Sequence, residues 1–170
     1  MKLDNLWNGW RSDYINGVIG GSPESEVSVF TQILNSGLPD DETFIVHRSS
    51  LSFAILNAYP YASGHILVLP YREVANLEDL TSEENVDLWT NVTDASVALR
   101  ASHNPDALNV GINLGAAAGG SISQHLHVHI VPRWVGDSNF MTSVASTRTL
   151  PEPLPLTASK IRDAWPKEKS

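Results

Sequence analysis

The stretch Gln124-His125-Leu126-His127-Val128-His129-Ile130-Val131-Pro132-Arg133 constrains the fold more than any other part of the chain. Three of the six histidines alternate here with aliphatic residues. Strict alternation marks a strand buried on one face, because successive side chains in a strand point to opposite sides. Leu126, Val128 and Ile130 are therefore expected on a core face, and His125, His127 and His129 on the other. A row of imidazoles gains little by packing, so the second face is expected to carry a site. Immediately upstream lies the small-residue run Gly115-Ala116-Ala117-Ala118-Gly119-Gly120-Ser121. Such a loop lets backbone N–H groups approach an anion closely.

The rest of the chain reads as a sheet and its cover. Glu42 to His47 and Ser50 to Leu56 are two expected strands, joined through Arg48-Ser49 as a hairpin, with His47 at an edge. After the turn-rich segment from Asn57 to Gly64, His65 to Pro70 is a third strand, stopped by its proline. Thr81-Ser82-Glu83-Glu84 is a capping box that opens a helix running to about Ala101. Leu88, Val92, Ala95 and Leu99 form its buried stripe, broadened by Trp89. Glu83, Glu84, Asp87 and Asp94 read as solvated acids favoured by the helix dipole, and His103 as a cap for last-turn carbonyls. Leu108 to Asn113 is a fourth strand with Leu108, Val110 and Ile112 inward, and the histidine stretch is the fifth. Val27 to Asn35 and Thr157 to Trp165 are expected short helices. Consecutive short strands around one long helix argue for an α+β fold: an antiparallel sheet of about five strands with the helix on one face.

At 170 residues the chain is expected to form one domain. The core spans about 43–134, with an aromatic N-terminal arm (1–26) and a C-terminal tail (135–170). The arm reads as packing on the body, or as a flap that brings Arg11 to an anion. A net charge of −8, from 11 basic and 19 acidic residues, disfavours nucleic acid and anionic membranes as partners. It leaves room for a small anionic substrate held by local donors. No apolar run has the length of a membrane span, and the N-terminus lacks a signal-type apolar core. The absence of cysteine removes disulfides and thiolate metal sites and points to a cytoplasmic home.

Three chemistries compete for the histidine face. His125 and His127 suit a His-x-His metal pair, with His65 as a third ligand from elsewhere. All three triad histidines together do not, since His125 and His129 lie roughly 13 Å apart on an extended strand. A purely structural face would explain one histidine more easily than three. Nucleophilic catalysis on phosphorus uses every part present. A neutral imidazole attacks, an acceptor on its other nitrogen fixes the tautomer, neighbouring imidazoles donate protons, and loop N–H groups hold the oxygens.

His125-Leu126-His127-Val128-His129-Ile130-Val131 resembles the signature of the histidine-triad (HIT) family, three histidines alternating with apolar residues. Asn57, Gly64-His65-Ile66-Leu67-Val68-Leu69-Pro70 and Gly119-Gly120-Ser121 fit the family's other landmarks in order. The arm with Leu6-Trp7, Arg11 and Tyr14-Ile15, the segment Asn109 to Gly115, and Val131-Pro132-Arg133-Trp134 with Gly136 to Phe140 are similar to the family's bacterial diadenosine tetraphosphate phosphorylase branch. The resemblance implies a HIT-like fold and cleavage of dinucleoside polyphosphates through a nucleotidyl-histidine intermediate, with phosphorolysis favoured. It implies His127 as nucleophile, His129 at the scissile phosphate and leaving group, and His125 and His65 as a supporting pair. It puts Asn57 at the ribose, Asn113 at the phosphates, and Gly119, Gly120, Ser121, Ile122 and Ser123 in the phosphate loop. Gln124 is then within reach of the second half of the substrate. Many bacterial relatives carry a cysteine-rich zinc site near the N-terminus, where this chain has Val27-Ser28-Val29-Phe30-Thr31. No protein-bound metal or cofactor is therefore expected, and any Mg2+ travels with the polyphosphate. Family members are typically homodimers, so at least a dimer is expected. The alternatives are a hydrolase of dinucleoside polyphosphates or nucleoside phosphoramidates that uses water, a metal-dependent hydrolase, or a nucleotide-binding protein without turnover.

Overall fold

The structure is a computed structural model that describes residues 27–119, 122–137 and 152–167. The described elements in order are α1 (Val29–Asn35), the single turn α2 (Asp40–Thr43), β1 (Ile45–Arg48), β2 (Ser52–Leu56), β3 (Ile66–Pro70), α3 (Ser82–His103), β4 (Ala107–Ile112), β5 (Val128–Arg133) and α4 (Leu154–Asp163). The five strands form one antiparallel sheet in the order β1-β2-β3-β5-β4. No helix among the described residues is long and apolar enough to cross a membrane.

Both faces of the sheet are covered. On one face Ile66, Val68, Leu126, Val128 and Ile130 pack with Leu88, Val92, Ala95 and Leu99 of α3 and with Leu154 and Ile161 of α4. On the other, Ile45, Phe53, Ile55, Leu67 and Leu69 pack under Phe30 and Ile33 of α1. The expected division holds: Leu126, Val128 and Ile130 join the α3 side. The histidine side lies under α1, so it is buried as well.

Local chemistry sets the ends of the elements. Ser28 caps α1 by accepting from the Thr31 N–H. Thr81 and Glu84 form the full capping box of α3, and Asn104 closes that helix in the left-handed region. Arg162 of α4 donates to the Ile45 carbonyl and pairs with Asp41, which ties the last helix to the first strand.

Several expectations change. Glu42 and Thr43 are helical rather than extended, because Phe44 at φ 60° breaks the chain direction before β1 begins at Ile45. Trp89 is exposed and adds nothing to the buried stripe. Val110 faces solvent on β4, an edge strand with one partner. Glu84 is buried and takes a fork of hydrogen bonds from Arg72. Asp87 accepts from the hydroxyls of Ser49, Ser50 and Ser52, pinning the β1–β2 turn to α3. His103 contacts Glu152 and Ser102 instead of capping carbonyls.

Gly64 precedes His65 with φ +82°, and a Cβ there would sit 3.0 Å from Leu99 Cδ2 and 3.3 Å from Pro132 Cγ. Gly64→Ala combines a left-handed backbone penalty with overpacking, so it should destabilise the protein by about 2–4 kcal/mol. Urea denaturation checks this, and an unchanged midpoint would mean that the segment before β3 relaxes freely.

Candidate active site

His129 lies on β5 opposite Leu67 of β3 and Gly111 of β4, so it shares the α1-covered face with Leu67. The residue paired with it on β4 is glycine and places no side chain directly against the ring. His125 and His127 do not lie on the strand, which starts at Val128. They occupy the turn that enters it, held by Leu126 N–H donating to the Val74 carbonyl at 2.6 Å. The alternation therefore predicts the faces correctly and the start of the strand too early.

Hydrogen-bond direction fixes every tautomer. The Pro70 carbonyl can only accept, so His125 Nε2 donates to it at 2.9 Å, and His125 Nδ1 takes the Ser28 hydroxyl at 2.7 Å. His127 Nδ1 donates to the His125 carbonyl at 2.8 Å, which leaves the lone pair of His127 on Nε2. His65 Nδ1 accepts from the Tyr61 backbone N–H at 3.1 Å, so His65 Nε2 carries a proton and donates to His129 Nδ1 at 3.0 Å. His129 then presents Nε2–H. Two adjacent rings thus offer opposite functions: a nucleophilic nitrogen on His127 and a proton on His129. Their centroids are 4.9 Å apart.

All four rings are held neutral. Burial lowers the pKa of His125 and of His127. Burial, with repulsion from His129 and His127, pushes His65 down to about 3. Burial, with repulsion from His127, pushes His129 down to about 4. A neutral His127 is the form whose nitrogen can attack.

His127 and His129 line a cavity of about 330 Å³. Its walls are largely apolar, from Val29, Phe30 and Ile33 of α1, Phe44, and Ile55 and Leu67 of the sheet. Asn57, Asn113, Gly119 and Ile122 also line it. Asn57 Nδ2 lies 3.3 Å from His65 Nδ1, and the Asn113 amide is 3.5 Å from His129 Nε2. A greasy slot with a polar, histidine-bearing end suits a flat heterocycle attached to a phosphorylated sugar. Ser123 and Gln124 are exposed in a turn and do not line this cavity. Gly120, Ser121 and the aromatic arm with Arg11 lie outside the described residues.

His65 and His125 do not form the expected pair. His65 buttresses His129, and His125 is turned away into Ser28 and Pro70. With both His125 nitrogens spoken for, a His125–His127 metal pair has no free donor on one side. Sequence reading missed Phe30, whose ring lies 5.6 Å from His125 and 5.5 Å from His127. It also missed Tyr61, stacked 6.1 Å from His129, and the pair Ser28 and Glu73. Nothing in their local sequence context marks these residues.

Known proteins resemble this chain in sequence and in fold. A Mycobacterium tuberculosis protein named AP-4-A phosphorylase is 39% identical over 171 aligned residues, 98% of this chain and 87% of that protein. The Schizosaccharomyces pombe bis(5'-nucleosyl)-tetraphosphatase (asymmetrical) is 40% identical over 93 residues, 55% of this chain and 50% of that one. Among solved structures, a Hit-like protein from Bartonella henselae superposes with a TM-score of 0.67 at 25% identity, covering 84% of this chain and 99% of that chain. A zinc-bound histidine triad family protein from Mycobacterium smegmatis gives 0.66 at 27% identity, with 81% and 91% covered. The HIT domain model matches residues 39–135, the span that holds the whole sheet, and the chain belongs to the HIT domain family.

Proposed function

We infer that this chain is a nucleotidyl transferase that cleaves dinucleoside polyphosphates of the diadenosine tetraphosphate type and passes the nucleotidyl group to inorganic phosphate. The observation that carries the chemistry is the pairing of opposite tautomers. His127 Nε2 attacks the phosphorus next to the nucleoside and forms a P–N bond. The P–O bond to the polyphosphate breaks, its electrons leave with the oxygen, and His129 Nε2–H hydrogen-bonds that oxygen. Phosphate oxygen then attacks the same phosphorus, and His127 regains its lone pair. The near full-length likeness to a protein named AP-4-A phosphorylase supports phosphate over water as acceptor. Relatives named as tetraphosphatase and triphosphatase support the water-using alternative.

The remaining features of the reading follow the residues. Ser28 and Thr31 offer hydroxyls where thiolates would bind zinc, and Glu73 and His125 are already committed to hydrogen bonds, so the reaction is proposed to need no protein-bound metal. The exposed β4 edge with Val110, and the outer side of α3 with Val86, Trp89 and Val97, support a homodimer that joins sheets and long helices. A cytoplasmic site of action fits the absence of cysteine and the nucleotide substrate.

Product analysis with labelled phosphate tests the acceptor. Diadenosine tetraphosphate should yield ATP and ADP, with the label in the β-phosphate of ADP, and turnover should slow greatly without phosphate. AMP and ATP formed at equal rates in both conditions would make this chain a hydrolase.

A further inference from the structure

We propose that Glu73 is a positioning residue for the nucleophile, acting through Thr31, Ser28 and His125 to hold His127 in a single tautomer. The proposal rests on the reading of His127 as nucleophile. Its basis is a run of hydrogen bonds in which each residue from Glu73 through Thr31, Ser28 and His125 to His127 is bonded to the next. Both oxygens of Glu73 lie 3.0 Å from the Ser28 backbone nitrogen, and Oε2 accepts from the Thr31 hydroxyl at 2.6 Å. Ser28 Oγ lies 2.7 Å from His125 Nδ1, and the His125 carbonyl receives the His127 Nδ1–H at 2.8 Å. Ser28 and His125 are both fully shielded from solvent.

No second arrangement of protons satisfies these groups. The Pro70 carbonyl forces the proton of His125 onto Nε2, so Nδ1 needs a donor. Ser28 is the donor, and its oxygen is then free to accept from the Thr31 N–H at 3.2 Å. The two hydroxyls also lie 3.1 Å apart, close enough for Ser28 to turn toward Thr31 instead. Glu73 anchors both residues by taking the Thr31 hydroxyl proton and the Ser28 amide together, and His125 Nδ1, at 2.7 Å, is then the nearer acceptor for the Ser28 proton. Partial burial opposes the charge on Glu73, but the bonds from Thr31 and Ser28 outweigh it and hold the carboxyl below its usual range. An anion is required there because two donors make three contacts with its oxygens, and a neutral amide would turn a donor toward one of them.

The network does for the nucleophile what a buried acceptor does for any catalytic imidazole: it fixes which nitrogen is bare. Loosening it lets the turn from His125 to His127 shift, and His127 then samples the tautomer with its proton on Nε2. That form cannot attack. The loss therefore falls on kcat, while the cavity walls and KM stay as they are.

The test reads tautomer and turnover separately in the full-length protein. Glu73→Gln and the isosteric Thr31→Val are each compared with Thr31→Ser, which keeps the hydroxyl. The substrate is diadenosine tetraphosphate with inorganic phosphate. Nitrogen-15 histidine spectra of the resting protein, with His127 assigned from a His127→Asn sample, report the tautomer. Glu73→Gln and Thr31→Val should lower kcat about tenfold with KM within twofold, and His127 should pass from one tautomer to a mixture. Thr31→Ser should keep kcat within twofold and a single tautomer. The same variants with wild-type kcat and a single Nδ1–H tautomer overturn the proposal. So does a kcat loss that accompanies an unchanged tautomer and is equal in Thr31→Ser, since that is a packing defect. Activity surviving in His127→Asn would fell the nucleophile reading instead, and the spectra of the resting protein would be untouched by that result.

Discussion

Replacing His127 by Asn should lower turnover of diadenosine tetraphosphate by at least about a thousandfold and leave nucleotide binding within a few-fold. Asparagine keeps a polar group of similar reach near the His125 carbonyl, so the turn that enters β5 retains its main tether. It offers no nucleophilic nitrogen. His129 cannot substitute, because its lone pair is already used to accept from His65 and its free nitrogen carries the proton. His125 cannot substitute either, since it is buried with both nitrogens engaged. Steady-state rates and calorimetry with a non-cleavable dinucleotide separate the two effects. Residual activity above about a hundredth of wild type would take His127 out of the nucleophile's role.

Acid should weaken the fold in a window set by the same histidines. In the unfolded chain each titrates near its ordinary value of about 6.5. In the folded protein burial depresses all four, His65 to about 3 and His129 to about 4. Above pH 6.5 both states are neutral and stability is complete. Below it the unfolded chain takes up protons that the folded protein refuses, so stability falls as pH falls. Each fully buried group contributes a slope of about 1.4 kcal/mol per pH unit until its folded pKa is reached. His65, 1% exposed, carries the full slope down to about pH 3. His129 is half-buried, and solvent screening reduces its share. Glu73, Asp87 and Glu152, whose carboxyls are held low by hydrogen bonds that outweigh burial, add a further loss below about pH 4.5. Urea midpoints at pH 7, 5.5 and 4.5 measure the slope. A flat profile between pH 7 and 5 would mean that these rings are protonated in the folded state, and His65→Gln should remove one group's share.

What the sequence made legible follows from periodicity and caps. Leu126, Val128 and Ile130 face the α3 core because a period of two survives even where the strand itself has not begun. Thr81 and Glu84 announce the start of α3 because a capping box is a local device. The environment of the histidines was not legible, because its parts come from far along the chain. Ser28 reaches His125 across 97 residues, and Glu73 bears no mark that distinguishes it from a surface acid. Trp89 and Val110 fit inward-facing patterns, yet an edge strand and the outer side of a helix can carry apolar residues too. The apolar pattern records where water is excluded, whether by this chain or by another surface.

The central pairing of β3 with β5 has a consequence for how activity is acquired. The hairpin β1–β2 and the adjoining β3 are neighbours in sequence, as are β4 and β5 across one loop. Among the strand pairings only β3–β5 joins the halves, and the His65–His129 bond that orients the proton donor spans 64 residues. Closing a loop of that length is the slow, entropically opposed event in building such a topology. Each half can condense locally and remain inert. Catalytic competence therefore arrives in one step, when the two halves zip together, and the return of turnover during refolding timestamps sheet closure rather than collapse.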